Sequence, residues 1–124
     1  MYLLDTSALL EILYGTEKGI NITKTISGIP LATTSITLHE VAIGESQEDL
    51  KKILQFFDSI EILPFDKDSA LLSSEIEKDL KKKGRMINRV DIFIAGICKK
   101  HNVMLITLDK GFQNINSITS KIIE

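Results

Sequence analysis

The order of its apolar segments makes this an α/β sequence, with a short central parallel sheet flanked by helices on both faces. Two observations carry that reading. Segments 2–4, 31–35, 60–63 and 103–107 are short, mostly apolar runs without sustained polar–apolar alternation, the pattern of strands buried on both faces. Between them lie longer segments whose apolar residues recur three and four apart, the period of an amphipathic helix. With 124 residues and 44% hydrophobic content the chain is the size of one compact domain. No Ser-, Gly- or Pro-rich stretch and no internal repeat interrupts it, so a single domain over 1–124 is expected.

Segment 2–4 runs into Asp5-Thr6-Ser7, so a strand hands over to a helix. Thr6 or Ser7 can cap that helix, Ala8, Leu9, Ile12 and Leu13 supply its apolar face, and Gly15 ends it. Residues 18–27 read as a second helix, with Ile22 and Ile26 four apart, broken by Gly28 and Pro30. Strand 31–35 leads to a helix bearing Leu38, Val41 and Ala42, with Gly44 after it. Leu50, Ile53, Leu54 and Phe57 mark another helix, and strand 60–63 closes at Pro64. A long helix begins at Asp66, holds Leu72, Ile76 and Leu80 in register, and has Gly84 at its end. Residues 90–100 are apolar on most sides, as in a helix packed against a sheet or between helices. Segment 103–107 is the fourth strand, and 118–123 adds a weakly alternating edge strand.

The net charge of −2 excludes a globally basic nucleic-acid binder. Charge is nevertheless uneven. Residues 81–89 carry Lys81, Lys82, Lys83, Arg85 and Arg89 with no acid, whereas 44–49 hold Glu45, Glu48 and Asp49. The basic run either meets a phosphate backbone or is a solvated helix end that suits the helix dipole. No apolar run approaches the roughly 20 residues needed to cross a bilayer. No basic leader precedes Asp5, so a signal peptide is not expected. The one cysteine, Cys98, lies in DIFIAGIC and cannot form an internal disulfide; a buried inert thiol is expected. Together these features point to the cytoplasm, without membrane association.

Four acids sit in apolar surroundings: Asp5 in YLLDTSALL, Glu40 in SITLHEVAIG, Asp91 in INRVDIFIAG and Asp109 in VMLITLDKGF. A carboxylate beside a buried strand is costly to desolvate, and four are hard to explain unless a shared cation compensates them. Oxygen-only ligation, with no His or Cys cluster, favours Mg²⁺ or Mn²⁺ over zinc and points toward metal-assisted phosphodiester hydrolysis. In parallel sheets, ligands gather at the carboxyl ends of strands near a topological switch point. Asp5 and Asp109 follow strands, Glu40 lies in the helix after the second strand, and Asp91 starts a helix, so all four can converge there. Each acid also has a structural alternative: Asp91 can complement a helix N-terminus, and Asp109 can cap a turn before Gly111. Asp5 and Glu40 fit a cap less well. His39 points about 100° from Glu40 on a helix and reads as a surface or packing residue. Phe56 and Phe57 read as contact surface or as core.

At these residues the chain resembles a PIN domain, specifically the single-domain toxin nucleases of VapBC-type toxin–antitoxin pairs, over essentially its whole length. The first motif, apolar-apolar-Asp-Thr-Ser, is matched by Leu3 to Ser7. The second, a Ser/Thr five residues before Glu and a Gly four after it, is matched by Ser35, Glu40, Val41 and Gly44. The third is matched by Gly84-Arg85, Asp91 and Ile94-Ala95, and the fourth by Leu105-Ile106-Thr107, Asp109 and Phe112. One position departs: many relatives carry an acid just before the last phenylalanine, where this chain has Gly111.

The resemblance implies a metal-dependent endoribonuclease leaving a 5′-phosphate and a 3′-hydroxyl. Asp5, Glu40, Asp91 and Asp109 would bind Mg²⁺ or Mn²⁺, some directly and some through water. Thr6, Ser7 and Thr107 would orient them. Arg85, with Arg89 and Lys83, would hold RNA phosphate, or Arg85 would accept an antitoxin side chain in a resting complex. It further implies a cognate antitoxin and a homodimer. A housekeeping nuclease of the same fold, for example in ribosomal RNA maturation, and a catalytically silent PIN-type binding module are the alternatives. An aspartyl phosphatase fits poorly, because Asp5-Thr6-Ser7 lacks a second Asp.

Overall fold

A computed structural model describes residues 1–44 and 46–124. Glu45, grouped above with the acidic segment 44–49, lies outside the described residues. The elements in chain order are β1 (Tyr2–Leu4), α1 (Thr6–Leu13), α2 (Glu17–Thr25), β2 (Leu31–Thr34), α3 (Ser35–Ile43), α4 (Gln47–Phe57), β3 (Glu61–Leu63), α5 (Lys67–Lys83), α6 (Arg89–His101), β4 (Met104–Thr107), a 3₁₀ turn (Lys110–Asn114) and β5 (Thr119–Ile122). The strands form one sheet in the order β3-β2-β1-β4-β5, parallel throughout. The chain winds from β1 outward to β3, then crosses to β4 and β5 on the other side. The switch point therefore lies between β1 and β4, where Leu3 pairs with Leu105 and Leu4 with Ile106.

Alternation along the two central strands sends side chains to opposite faces. Leu3 and Leu105 join Ile76, Leu80, Ile92, Ile94, Ile97 and Phe112 in a core under α5 and α6. Leu4 and Ile106 join Ala8, Leu9, Ile22, Val41, Ile53 and Phe57 in a core under the first four helices. Each such fully buried Leu or Ile contributes about 1.5–3 kcal/mol. Phe57 is buried and meets the half-buried Phe56 edge to face at 6.3 Å, so the pair packs as core. Cys98 is buried too, and burial pushes its thiol up to about 12, which leaves it inert. Among the described residues no helix is long and apolar enough to cross a membrane.

Two helix starts differ from the sequence expectation. Asp5, in place of Thr6 or Ser7, caps α1 by accepting the Ala8 N–H at 3.0 Å. Its backbone is extended, and its carboxylate is the stronger acceptor for an unsatisfied helix amide. Strand β2 ends at Thr34, because that residue's hydroxyl accepts the Thr37 N–H and commits Ser35 to the helix. The turn that Asp109 can cap before Gly111 is present as a 3₁₀ turn over Lys110–Asn114, whose five residues are too few to show a period in the sequence.

Helices α5 and α6 form an antiparallel pair. Gly84 ends α5 in a left-handed conformation (φ 65°), and its N–H and that of Arg85 close onto Lys81 and Leu80 carbonyls. Lys100 near the end of α6 ion-pairs with Asp66, the cap of α5, and holds that carboxyl well below the usual carboxylate range. Between these ends the helices touch at Gly96, where a Cβ would stand 2.5 Å from the Ser69 carbonyl oxygen and 2.8 Å from Ser73 Cβ. Gly96→Ala therefore forces the two helices apart and is expected to cost about 1–3 kcal/mol in urea-induced unfolding. A neutral result would show that α5 and α6 are not in this contact.

Candidate active site

The site is built from the carboxyl ends of β1 and β4. Asp5 is buried and directly follows β1. It accepts three hydrogen bonds: Ser7 O–H at 2.7 Å, Ala8 N–H at 3.0 Å and Thr107 O–H at 2.5 Å. Those donors are themselves satisfied. Ser7 Oγ accepts the Leu108 N–H at 3.0 Å, and Thr107 Oγ1 accepts the Asp109 N–H at 3.0 Å. Burial nevertheless raises the Asp5 pKa above its ordinary value; the three donors oppose that rise and Asp109 adds to it.

Asp109 lies two residues past β4 and caps the 3₁₀ turn, taking the Gly111 N–H at 2.8 Å. Asp91 sits in the first turn of α6, whose cap is Asn88, so its carboxylate is not used as the cap. Its pKa is pushed up to about 7, first by burial, then by a hydrogen bond with Asp109, then by the charges of Asp109, Asp5 and Glu40. Glu40, in the last turn of α3, accepts the Thr6 O–H at 2.6 Å. The fold thus brings the four acids from β1, α3, α6 and β4 into one electrostatic neighbourhood.

Their chemistry suits a hard divalent cation: the donors are all carboxylate and hydroxyl oxygens, and burial, helped by the neighbouring acids, raises the Asp91 pKa. As they stand, no three His, Cys, Asp or Glu side chains among the described residues are gathered tightly enough to ligate one ion. Mg²⁺ commonly retains several waters, so an ion held partly through water needs fewer direct protein ligands. At Gly111, a Cβ would stand 3.0 Å from Ile87 Cγ2 and 3.1 Å from Asp109 Oδ1. An acid there would have to displace Ile87.

The basic candidates are placed differently. Lys83 pairs with Asp79 at 2.8 Å, Arg89 makes two bonds to Glu77 at 2.9 and 3.1 Å, and Arg85 reaches Asn114 at 3.5 Å. Arg89, followed by Lys81, holds the Glu77 carboxyl below its ordinary range. All three cations are exposed, and surface ion pairs of this kind are weak enough to exchange for phosphate. His39 is exposed. Two residues the sequence reading did not mark also enter: Thr37 Oγ1 lies 3.1 Å from Thr6 Oγ1 and 3.3 Å from Thr34 Oγ1. The available signal was a threonine at the cap and another three residues on, at the start of the helix carrying Glu40.

Comparison with known proteins agrees with this architecture. The PIN domain family matches residues 2–117. Ribonuclease VapC5 of Mycobacterium tuberculosis is 27% identical over 124 residues, covering 94% of this chain and 89% of that protein. Ribonuclease VapC3 of Methanocaldococcus jannaschii is 32% identical over 94 residues, covering 76% of this chain and 94% of that protein. The solved structure of VapBC-1 from nontypeable Haemophilus influenzae superposes with a TM-score of 0.85 at 24% identity, covering 98% of this chain and 96% of that one. The chain belongs to the PIN domain family.

Asp91 also gives the metal-free protein a characteristic pH dependence. Its folded pKa of about 7 lies above the ordinary 3.8, so between those values the folded chain binds a proton that the unfolded chain has released. Stability contributed by that proton is present at the acid end and is lost as pH rises through 7. The melting temperature in chelator should therefore be higher at pH 5 than at pH 7.5. Asp91→Asn should flatten this dependence and raise the value at pH 7.5; an unchanged slope in the variant would refute the assignment.

Proposed function

We propose that this chain is a cytoplasmic, Mg²⁺- or Mn²⁺-dependent endoribonuclease and the toxin of a toxin–antitoxin pair. The observation that carries the reading is the electrostatic meeting of Asp91 with Asp5, Glu40 and Asp109 at the switch point. The two relatives named as ribonucleases support RNA as the substrate.

Asp5, Glu40, Asp91 and Asp109 would hold the ion. When bound, a divalent ion supplies Lewis acidity toward a phosphate oxygen and an ionised water at neutral pH. Asp5 is the fixed member, locked by Ser7, Thr107 and the α1 amide. Glu40 is half-buried and Asp109 exposed, so both are more accessible than Asp5. Arg85 binds a flanking phosphate, and Lys83 and Arg89 exchange their surface partners for the RNA backbone. Hydrolysis then leaves a 5′-phosphate and a 3′-hydroxyl. A cognate antitoxin covers this acidic face, and two copies of the chain associate.

Incubation with total RNA tests the reading. Cleavage is expected with Mg²⁺ or Mn²⁺ and not in EDTA, with 5′-phosphate ends. Asp5→Asn should lower it by more than the roughly 10–100-fold typical of groups that only orient a metal ligand. Metal-independent cutting, or equal cutting by the variant, would refute the mechanism. Inhibition by the product of a small adjoining reading frame is the expected mark of the antitoxin.

A further inference from the structure

Glu40 is held by a one-way chain of hydroxyl groups. Thr6 Oγ1 lies 2.6 Å from Glu40 Oε1 and 3.1 Å from Thr37 Oγ1. A threonine has one hydroxyl proton, and an ionised carboxylate only accepts, so the Thr6 proton goes to Glu40. That leaves the 3.1 Å contact open to the proton of Thr37. Thr37 Oγ1 in turn lies 3.3 Å from Thr34 Oγ1, whose hydroxyl supplies the next proton, while Thr34 Oγ1 accepts the Thr37 N–H at 3.0 Å. Thr34 and Thr37 are both wholly buried, whereas Thr6 is half-buried.

We propose that Thr37 is a positioning residue for Glu40, with the chain Thr34 to Thr37 to Thr6 fixing the side-chain rotamer of Thr6 and, through it, the carboxylate. This inference rests on the nuclease reading only for its effect on activity. Each bond polarises the next, and all three donate toward the site. Without the Thr37 hydroxyl, Thr6 Oγ1 keeps its bond to Glu40 but loses the partner that fixes its own direction. Thr37 touches neither the ion nor the substrate. Its role is to stop Glu40 from turning away from Asp5 and Asp91.

The test uses the full chain with Thr37→Val, which keeps the shape, Thr37→Ser, which keeps the hydroxyl, and Thr37→Ala should the valine variant fail to fold. Three-bond scalar couplings of the Thr6 methyl carbon report its rotamer without metal or RNA. They should show one rotamer in the wild type and in Thr37→Ser, and averaging in Thr37→Val or Thr37→Ala. Affinity for Mn²⁺ alone, followed by electron paramagnetic resonance, should weaken about 10-fold in the variants lacking the hydroxyl. RNA cleavage should fall in step, with serine restoring both. Unchanged Thr6 couplings and Mn²⁺ affinity in a folded Thr37→Val or Thr37→Ala protein overturn the proposal. Absence of Mn²⁺ binding by the wild type overturns the nuclease reading instead, and the Thr6 couplings still decide the role of Thr37.

Discussion

A buried carboxylate at the middle of the sheet is the constraint on which this molecule is arranged. Asp5 stands where β1, β4 and α1 meet, and its desolvation is tolerable because α1 sends it two donors, Ser7 and the Ala8 amide, and β4 sends it Thr107. The same three bonds fix local structure. Ser7 joins the α1 turn to the segment after β4 through the Leu108 amide, and Thr107 passes the constraint to the Asp109 amide. Helix capping and site construction are therefore one set of contacts, and removing the carboxylate would loosen both.

Against this fixed member the other acids are held by weaker means. Asp91 arrives on α6, whose seat against α5 depends on close backbone approach at Gly96. Its pKa is raised first by burial and then by Asp109, Asp5 and Glu40, so its carboxylate is the one most affected by the company it keeps.

Much of this was readable from the residues. The strands showed as short apolar runs, and the acids stood out because each interrupts such a run. Their order along the chain carried the resemblance to PIN domains. What the sequence did not expose were relations across elements. That Asp5 caps α1 was masked by Thr6 and Ser7, which are themselves good caps. The pairing of Arg89 with Glu77 spans twelve positions across two helices and has no local signature. Thr34 and Thr37 read as ordinary helix-start residues, since a threonine at a cap looks the same whether or not its hydroxyl also serves a neighbour. The tightness of Gly96 was likewise invisible, because a glycine inside a helical pattern does not declare what it lies against.

The two outer strands have a consequence for how this chain behaves in a crowded solution. β3 is three residues long, with exposed Glu61 at its start and exposed Pro64 just beyond it, and β5 is four residues long, with exposed Thr119 and Lys121. Short rims interrupted by charge and proline are poor templates for accretion of a further strand. Growth of the sheet into fibrils is thereby discouraged at both borders.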